Sequence, residues 1–118
     1  MMLTLLKSKL HGAFVTEADL NYTGSIGIDA DLMKTAGILP HEQVDVYNIT
    51  NGNRITTYAI SLPGGSGKIT INGAAAHLFK KGDKVIICAY AQMNEAEARE
   101  YKPTVIIVSA KNTVERHG

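Results

Sequence analysis

Two alternating, β-branched runs lie on either side of Asn51-Gly52, and no other stretch constrains the fold as much. The runs cover residues 44–49 and 54–60. Side chains along a strand point alternately to opposite faces, so each run can turn one apolar face to a core. Asn-Gly favours the positive-φ turn that joins antiparallel strands, and a β-hairpin is expected here.

The rest of the chain extends this pattern. Residues 3–15 read as an extended segment in which Lys7, Lys9 and His11, at spacing two, project from one face. Residues 16–20 read as a turn or irregular segment, and residues 25–28 alternate as a short strand. Asp29 is placed to cap a helix near 30–36 that carries Leu32 and Met33 inward, with Gly37 and Pro40 as stop signals. Residues 63–67 form a Gly-rich loop, and residues 68–71 a short strand. Residues 72–76 turn into a short helix reaching Phe79, whose start exposes backbone N–H groups. The continuous apolar run at 85–90 predicts a central strand with Cys88 packed inside it. Asn94 is expected to cap a charged helical turn through Tyr101, ended by Pro103 and followed by an apolar strand at 104–109. The polar tail at 111–118 reads as a candidate disordered end.

A chain of 118 residues is long enough for one domain with a sizeable core. Many short strands, little helix and Gly-rich connections predict a small closed or nearly closed β-barrel, whose topology the pattern leaves open. Twelve basic and 11 acidic residues are spread along the chain for a net charge of +1, which gives no clustered basic face for nucleic acid. Cys88 is the only cysteine and cannot form an internal disulfide, so a reducing cytoplasm is expected. Residues 1–7 lack a basic leader followed by a long apolar core, so no signal peptide is expected. No apolar run approaches a membrane span.

Several chemistries are excluded by spacing. The four histidines (His11, His41, His77 and His117) and Cys88 show no metal-ligand pattern. Gly67-Lys68 is not a phosphate loop, because Leu62 stands where its first glycine is needed and Ile69 follows the lysine. The stretch Gly24-Ser25-Ile26-Gly27 is one residue short of a nucleophile elbow. Arg54 could clamp a carboxylate bidentately, and Tyr58 could give a proton. Alternation puts Thr57 on the face opposite both. A centre using all three needs either a twisted strand or two copies of the chain.

The stretch at 21–26 suggests a different chemistry. The Ser25 hydroxyl can attack the Gly24 carbonyl, moving the acyl group from nitrogen to oxygen. β-Elimination of the resulting ester frees the upstream chain and leaves dehydroalanine, which takes up water and loses ammonia to become a pyruvoyl group. Glycine suits the upstream side because it has no Cβ and reaches strained backbone angles. Gly-Ser alone is a common dipeptide, repeated here at Gly65-Ser66.

The surrounding residues make the signal specific. Lys9-Leu10-His11, the run at 15–29, residues 48–60 around Asn51-Gly52-Asn53-Arg54, Ile71-Asn72-Gly73-Ala74-Ala75-Ala76, residues 82–87 and Met93-Asn94-Glu95 closely resemble the aspartate 1-decarboxylase family. The likeness runs in order from about residue 1 to 110. It implies a mainly β, six-stranded double-psi β-barrel with short helices, assembled as a homotetramer with active sites between subunits. It also implies cleavage into chains 1–24 and 25–118, with Ser25 becoming a pyruvoyl cofactor and neither metal nor pyridoxal phosphate required. L-Aspartate would be converted to β-alanine for pantothenate and coenzyme A synthesis, and the resemblance leaves room for a maturation activator.

By position, the resemblance assigns Arg54 and Lys9 to substrate carboxylates and Tyr58 to protonating the product. Thr57 would hold the Gly24 carbonyl region during maturation and later help bind substrate. Asn72, Gly73, Ala74 and Ala75 would line the ligand, with His11 and Tyr22 at the pocket wall. Gly12 stands where the family usually has arginine, a departure that removes none of these residues. Two competing readings are a pyruvoyl decarboxylase of another amino acid and an unprocessed β-barrel binding or assembly module.

Overall fold

The computed structural model describes residues 1–118. It contains nine strands: β1 (Met2–Phe14), β2 (Glu17–Asp19), β3 (Ile26–Asp29), β4 (Gln43–Asn48), β5 (Arg54–Leu62), β6 (Ile69–Asn72), β7 (Lys84–Asn94), β8 (Thr104–Val108) and β9 (Val114–His117). The helices are α1 (Ala30–Ala36), α2 (Glu95–Glu100) and a 3-10 turn at Gly73–His77. The chain is mainly β with short helices. The strand count exceeds six because short segments such as β2 and β9 also join the ladder.

Hydrogen-bonded order is β2-β6-β3-β5-β4-β7-β1-β8-β9. Buried side chains from both halves of that order, Ile26 and Ile71 on one side and Leu10 and Ile106 on the other, belong to one apolar cluster. The sheet therefore curls around a single core. Where the chain leaves β1, Thr16 N–H donates to Ile69 O (2.8 Å) and Val15 N–H to Asp83 O (2.9 Å), tying β6 to the turn before β7. Isoleucine and valine dominate this core, as expected of β-branched residues on pleated surfaces.

The hairpin forms with Tyr47 opposite Arg54 and Val44 opposite Thr57. Asp29 caps α1 as expected, accepting from Asp31 N–H at 2.8 Å, and Gly37 closes the helix in a left-handed conformation. The same carboxylate accepts from Gly65 N–H (3.1 Å) and Gly67 N–H (2.8 Å), so one buried side chain also organises the Gly-rich loop. Asn94 and Glu97 cap α2 reciprocally.

Two expectations are corrected. Residues 17–19 are not irregular: they form β2, parallel to β6. The polar tail is not disordered either, because β9 pairs with β8. Its anchor is Asn112, nearly fully buried, whose side-chain amide donates to Phe14 O and Gly67 O at 2.9 Å each and whose Oδ1 accepts from Phe14 N–H at 2.8 Å. A polar composition hid this because the ordering comes from one side chain reaching far across the chain. Gly12 lies at a register shift between His11 and Ala13 with φ +92°, so it serves a β-bulge that a side-chain-bearing residue would strain.

Candidate active site

Gly24 and Ser25 end the loop between β2 and β3, and both adopt positive φ, 22° and 92°. For serine, φ of 92° lies outside the regions that L-residues normally occupy, and such strain persists only where the surroundings impose it. The surroundings are tight. Ser25 is 3% exposed, and its carbonyl accepts from Asn72 N–H at 3.1 Å. Ile26 is then drawn into β3 between Ala59 of β5 and Ile71 of β6. On the other side, Gly73 (φ +70°) lies so close that a Cβ there would stand 2.8 Å from Gly24 N and 3.0 Å from Tyr22 O. Only glycine permits that approach.

A cavity of about 320 Å³ opens at this bond, lined by Gly24, Ser25, Thr57, Asn72, Ala74 and Ala75 together with Ile55, Thr56 and Leu78. Six of the residues singled out from sequence thus meet in one place, and Gly73 packs behind them. Tyr58 joins from the side: its Oη would lie 3.6 Å from a Cβ on Gly24. The alternation of β5 holds, with Thr57 half-buried toward the cavity and Tyr58 exposed, yet the tyrosine ring is long enough to bring its hydroxyl back to Gly24. Tyr22 contributes its carbonyl to the packing around Gly73. Its exposed side chain lines an adjoining groove with Glu17, Asp19 and Lys68.

Lys9, His11 and Arg54 lie elsewhere. Arg54 lines a separate groove with Asp45, Tyr47, Ile55 and Thr56. Lys9 and His11 sit on β1, which is separated from β5 by β7 and β4, about 14 Å at the usual strand spacing. Across that face, His11, Ile86, Tyr47 and Arg54 form one register row, and Lys9, Cys88, Asp45 and Thr56 form the next. His11 is held below its usual pKa by burial first, then by Lys9 and Lys84, and its Nδ1 is buried without a partner. Burial pushes the Cys88 thiol up, which suits packing and disfavours a thiolate.

Sequence reasoning missed Tyr47, Asp45, Thr56 and Tyr90. The Arg54 guanidinium stacks 4.6 Å from the centre of the Tyr47 ring, and Tyr47 Oη lies 2.9 Å from Tyr90 Oη. Asp45 accepts from Thr56 Oγ1 at 2.7 Å and, more weakly, from Tyr47 Oη at 3.4 Å. A two-residue Asn51-Gly52 turn would set residue 47 opposite residue 56. The loop is instead residues 49–52, closed by Asn48 N–H donating to Asn53 O at 2.7 Å, and this register brings Tyr47 opposite Arg54.

Fold and site define a mainly β chain built around a strained, buried glycine–serine peptide bond. The family model described as aspartate decarboxylase matches residues 1–115. Aspartate 1-decarboxylase of Phenylobacterium zucineum (strain HLK1) is 57% identical over 116 residues, covering 98% of each chain. The protein of that name from Caulobacter vibrioides is 58% identical over 116 residues, again 98% of each, and that of Clostridium beijerinckii 57% over 114, covering 97% of this chain and 92% of its own. The chain belongs to the aspartate decarboxylase family.

Proposed function

We propose that this chain cuts itself between Gly24 and Ser25 and then decarboxylates L-aspartate to β-alanine and carbon dioxide, the step that feeds pantothenate synthesis. The observation that carries the reading is the strained Gly24–Ser25 bond, held at a cavity with Thr57 and Asn72 and beside the Tyr58 hydroxyl. Strain at this bond raises the energy of the uncut amide, so an N-to-O shift of the Gly24 acyl group relieves it. In this reading Thr57, which lines the same cavity, hydrogen-bonds the Gly24 carbonyl region as that oxygen gains charge.

The residues around Ser25 fit a pyruvoyl group: the pocket walls are small (Ala74, Ala75), and backbone N–H groups at the start of the 3-10 turn are free to hydrogen-bond. Such a group supplies a carbonyl that draws electrons from a substrate amine's α-carbon as its carboxylate departs. In this reading Tyr58, whose Oη lies beside Gly24, returns a proton there. Arg54 offers the planar fork that holds a carboxylate, and Lys9 adds positive charge. Neither lines the Ser25 cavity of the same chain, although the Arg54 groove adjoins it through Ile55 and Thr56. A site completed by a neighbouring copy reconciles the two clusters, and a homotetramer with sites between subunits is therefore part of the reading. No helix is long and apolar enough to cross a membrane. A cytoplasmic location is proposed from the single free cysteine, and a maturation partner is compatible with the exposed side chains of Leu20 and Tyr22 beside the bond.

The test is release of carbon dioxide and β-alanine from a panel of amino acids. Selective turnover of L-aspartate, lost in Arg54→Ala, supports the reading. Turnover of a different amino acid, or an Arg54→Ala variant with undiminished acidic preference, contradicts it.

A further inference from the structure

The Arg54 side chain sits next to an acidic group and yet has no ion pair. The ion pairs of the chain are Lys7–Glu42, Arg99–Glu95 and Arg116–Glu115. Asp45 lines the same groove as Arg54, but its two oxygens are engaged by Thr56 Oγ1 and Tyr47 Oη. Tyr47 in turn is tethered at its hydroxyl by Tyr90, and the face of its ring lies against the guanidinium. A guanidinium stacked on an aromatic face keeps its N–H fork in the plane parallel to the ring, free at the edge for a planar carboxylate.

We propose that Tyr47 is the positioning residue for Arg54 in recognising a substrate carboxylate, and that Thr56 and Tyr47 keep Asp45 from occupying that guanidinium. This rests on the decarboxylase reading and extends it to the residues that set its specificity. Tyr47 does not touch the reacting atoms: it acts by orienting Arg54 and by occupying one oxygen of the competing carboxylate. Tyr90 fixes the ring through its hydroxyl.

The arrangement separates affinity from chemistry. Tyr47→Leu removes both stacking and tether, Tyr90→Phe removes only the tether, and Thr56→Val frees Asp45 to turn toward Arg54. Tyr47→Leu should raise KM for aspartate about fivefold with kcat within about twofold. Thr56→Val should raise KM similarly, and adding Asp45→Asn should restore it, because the competing anion is gone. Each variant is first weighed intact, so that a processing defect is separated from a binding defect. If Tyr47→Leu fails to fold, Tyr90→Phe and the Thr56→Val pair carry the test.

Succinate, a dicarboxylate with no amine to react, provides a readout independent of turnover. Calorimetric affinity for succinate should fall in Tyr47→Leu, Tyr90→Phe and Thr56→Val and recover in the Thr56→Val, Asp45→Asn double variant. An unprocessed or inactive wild-type protein would sink the decarboxylase reading while leaving the succinate comparison able to judge Tyr47. Unchanged KM and succinate affinity in the single variants, no recovery in the double variant, or no saturable succinate binding by the wild-type protein would each overturn the proposal.

Discussion

A Cβ on Gly73 would lie 2.8 Å from the amide nitrogen of Gly24, closer than real Cβ atoms come to backbone. Residue 73 thus presses directly on the loop that carries the strained bond. Gly73→Ala must push that loop away and also pay the cost of φ +70° for a residue with a side chain. Conversion to two chains should slow at least roughly tenfold, a relief of about 1.4 kcal/mol in ground-state strain or alignment. Following processing over time by mass spectrometry tests this, and wild-type kinetics in the variant would remove strain from the account.

The strain at Ser25 has a second signature. Ser25→Ala and Ser25→Gly both lack the nucleophile and should remain single chains. Glycine takes φ of 92° without penalty, whereas alanine does not. The glycine variant should therefore be the more stable of the two by about 1 kcal/mol in chemical denaturation. Equal stabilities would mean that the backbone relaxes once the hydroxyl is gone.

Asp29 illustrates how far one residue was legible. Its role as a helix cap followed from its position before a short amphipathic run, but its bonds to Gly65 and Gly67 depend on a loop 36 residues away. Removing a buried carboxylate that holds three N–H groups should cost about 3 kcal/mol in Asp29→Ala, well beyond a lone cap. A loss under about 1 kcal/mol in urea unfolding would show that the loop does not depend on it.

Acid should weaken the fold partly through His11. Burial, then Lys9 and Lys84, oppose its positive charge, so the folded chain binds this proton less readily than the unfolded chain, whose value is 6.5. Between 6.5 and the lowered folded value the unfolded chain carries more protons. The His11 contribution is therefore fully present above that range and is lost as pH falls through it. His11→Gln should show a shallower loss of stability than wild type from about pH 7.5 to about pH 5. Parallel profiles would contradict the assignment.

The hairpin, α1 with its cap, and the long apolar strand β7 were readable because each is set by local periodicity and turn chemistry. The meeting of Ser25, Thr57, Asn72 and Ala74 was reached only through resemblance, since their approach depends on β3 inserting between β5 and β6. Alternation correctly separated Arg54 from Thr57, but it could not foresee that Tyr58 spans the edge to reach Gly24. The ordered tail escaped notice because Asn112 acts across 98 residues of sequence.

The most direct test is the intact mass of the purified protein under denaturing conditions. The account predicts two chains, 1–24 and 25–118, the larger lighter by one ammonia than simple hydrolysis gives. A single full-length chain that stays uncut on prolonged warming and releases no carbon dioxide from aspartate would contradict it.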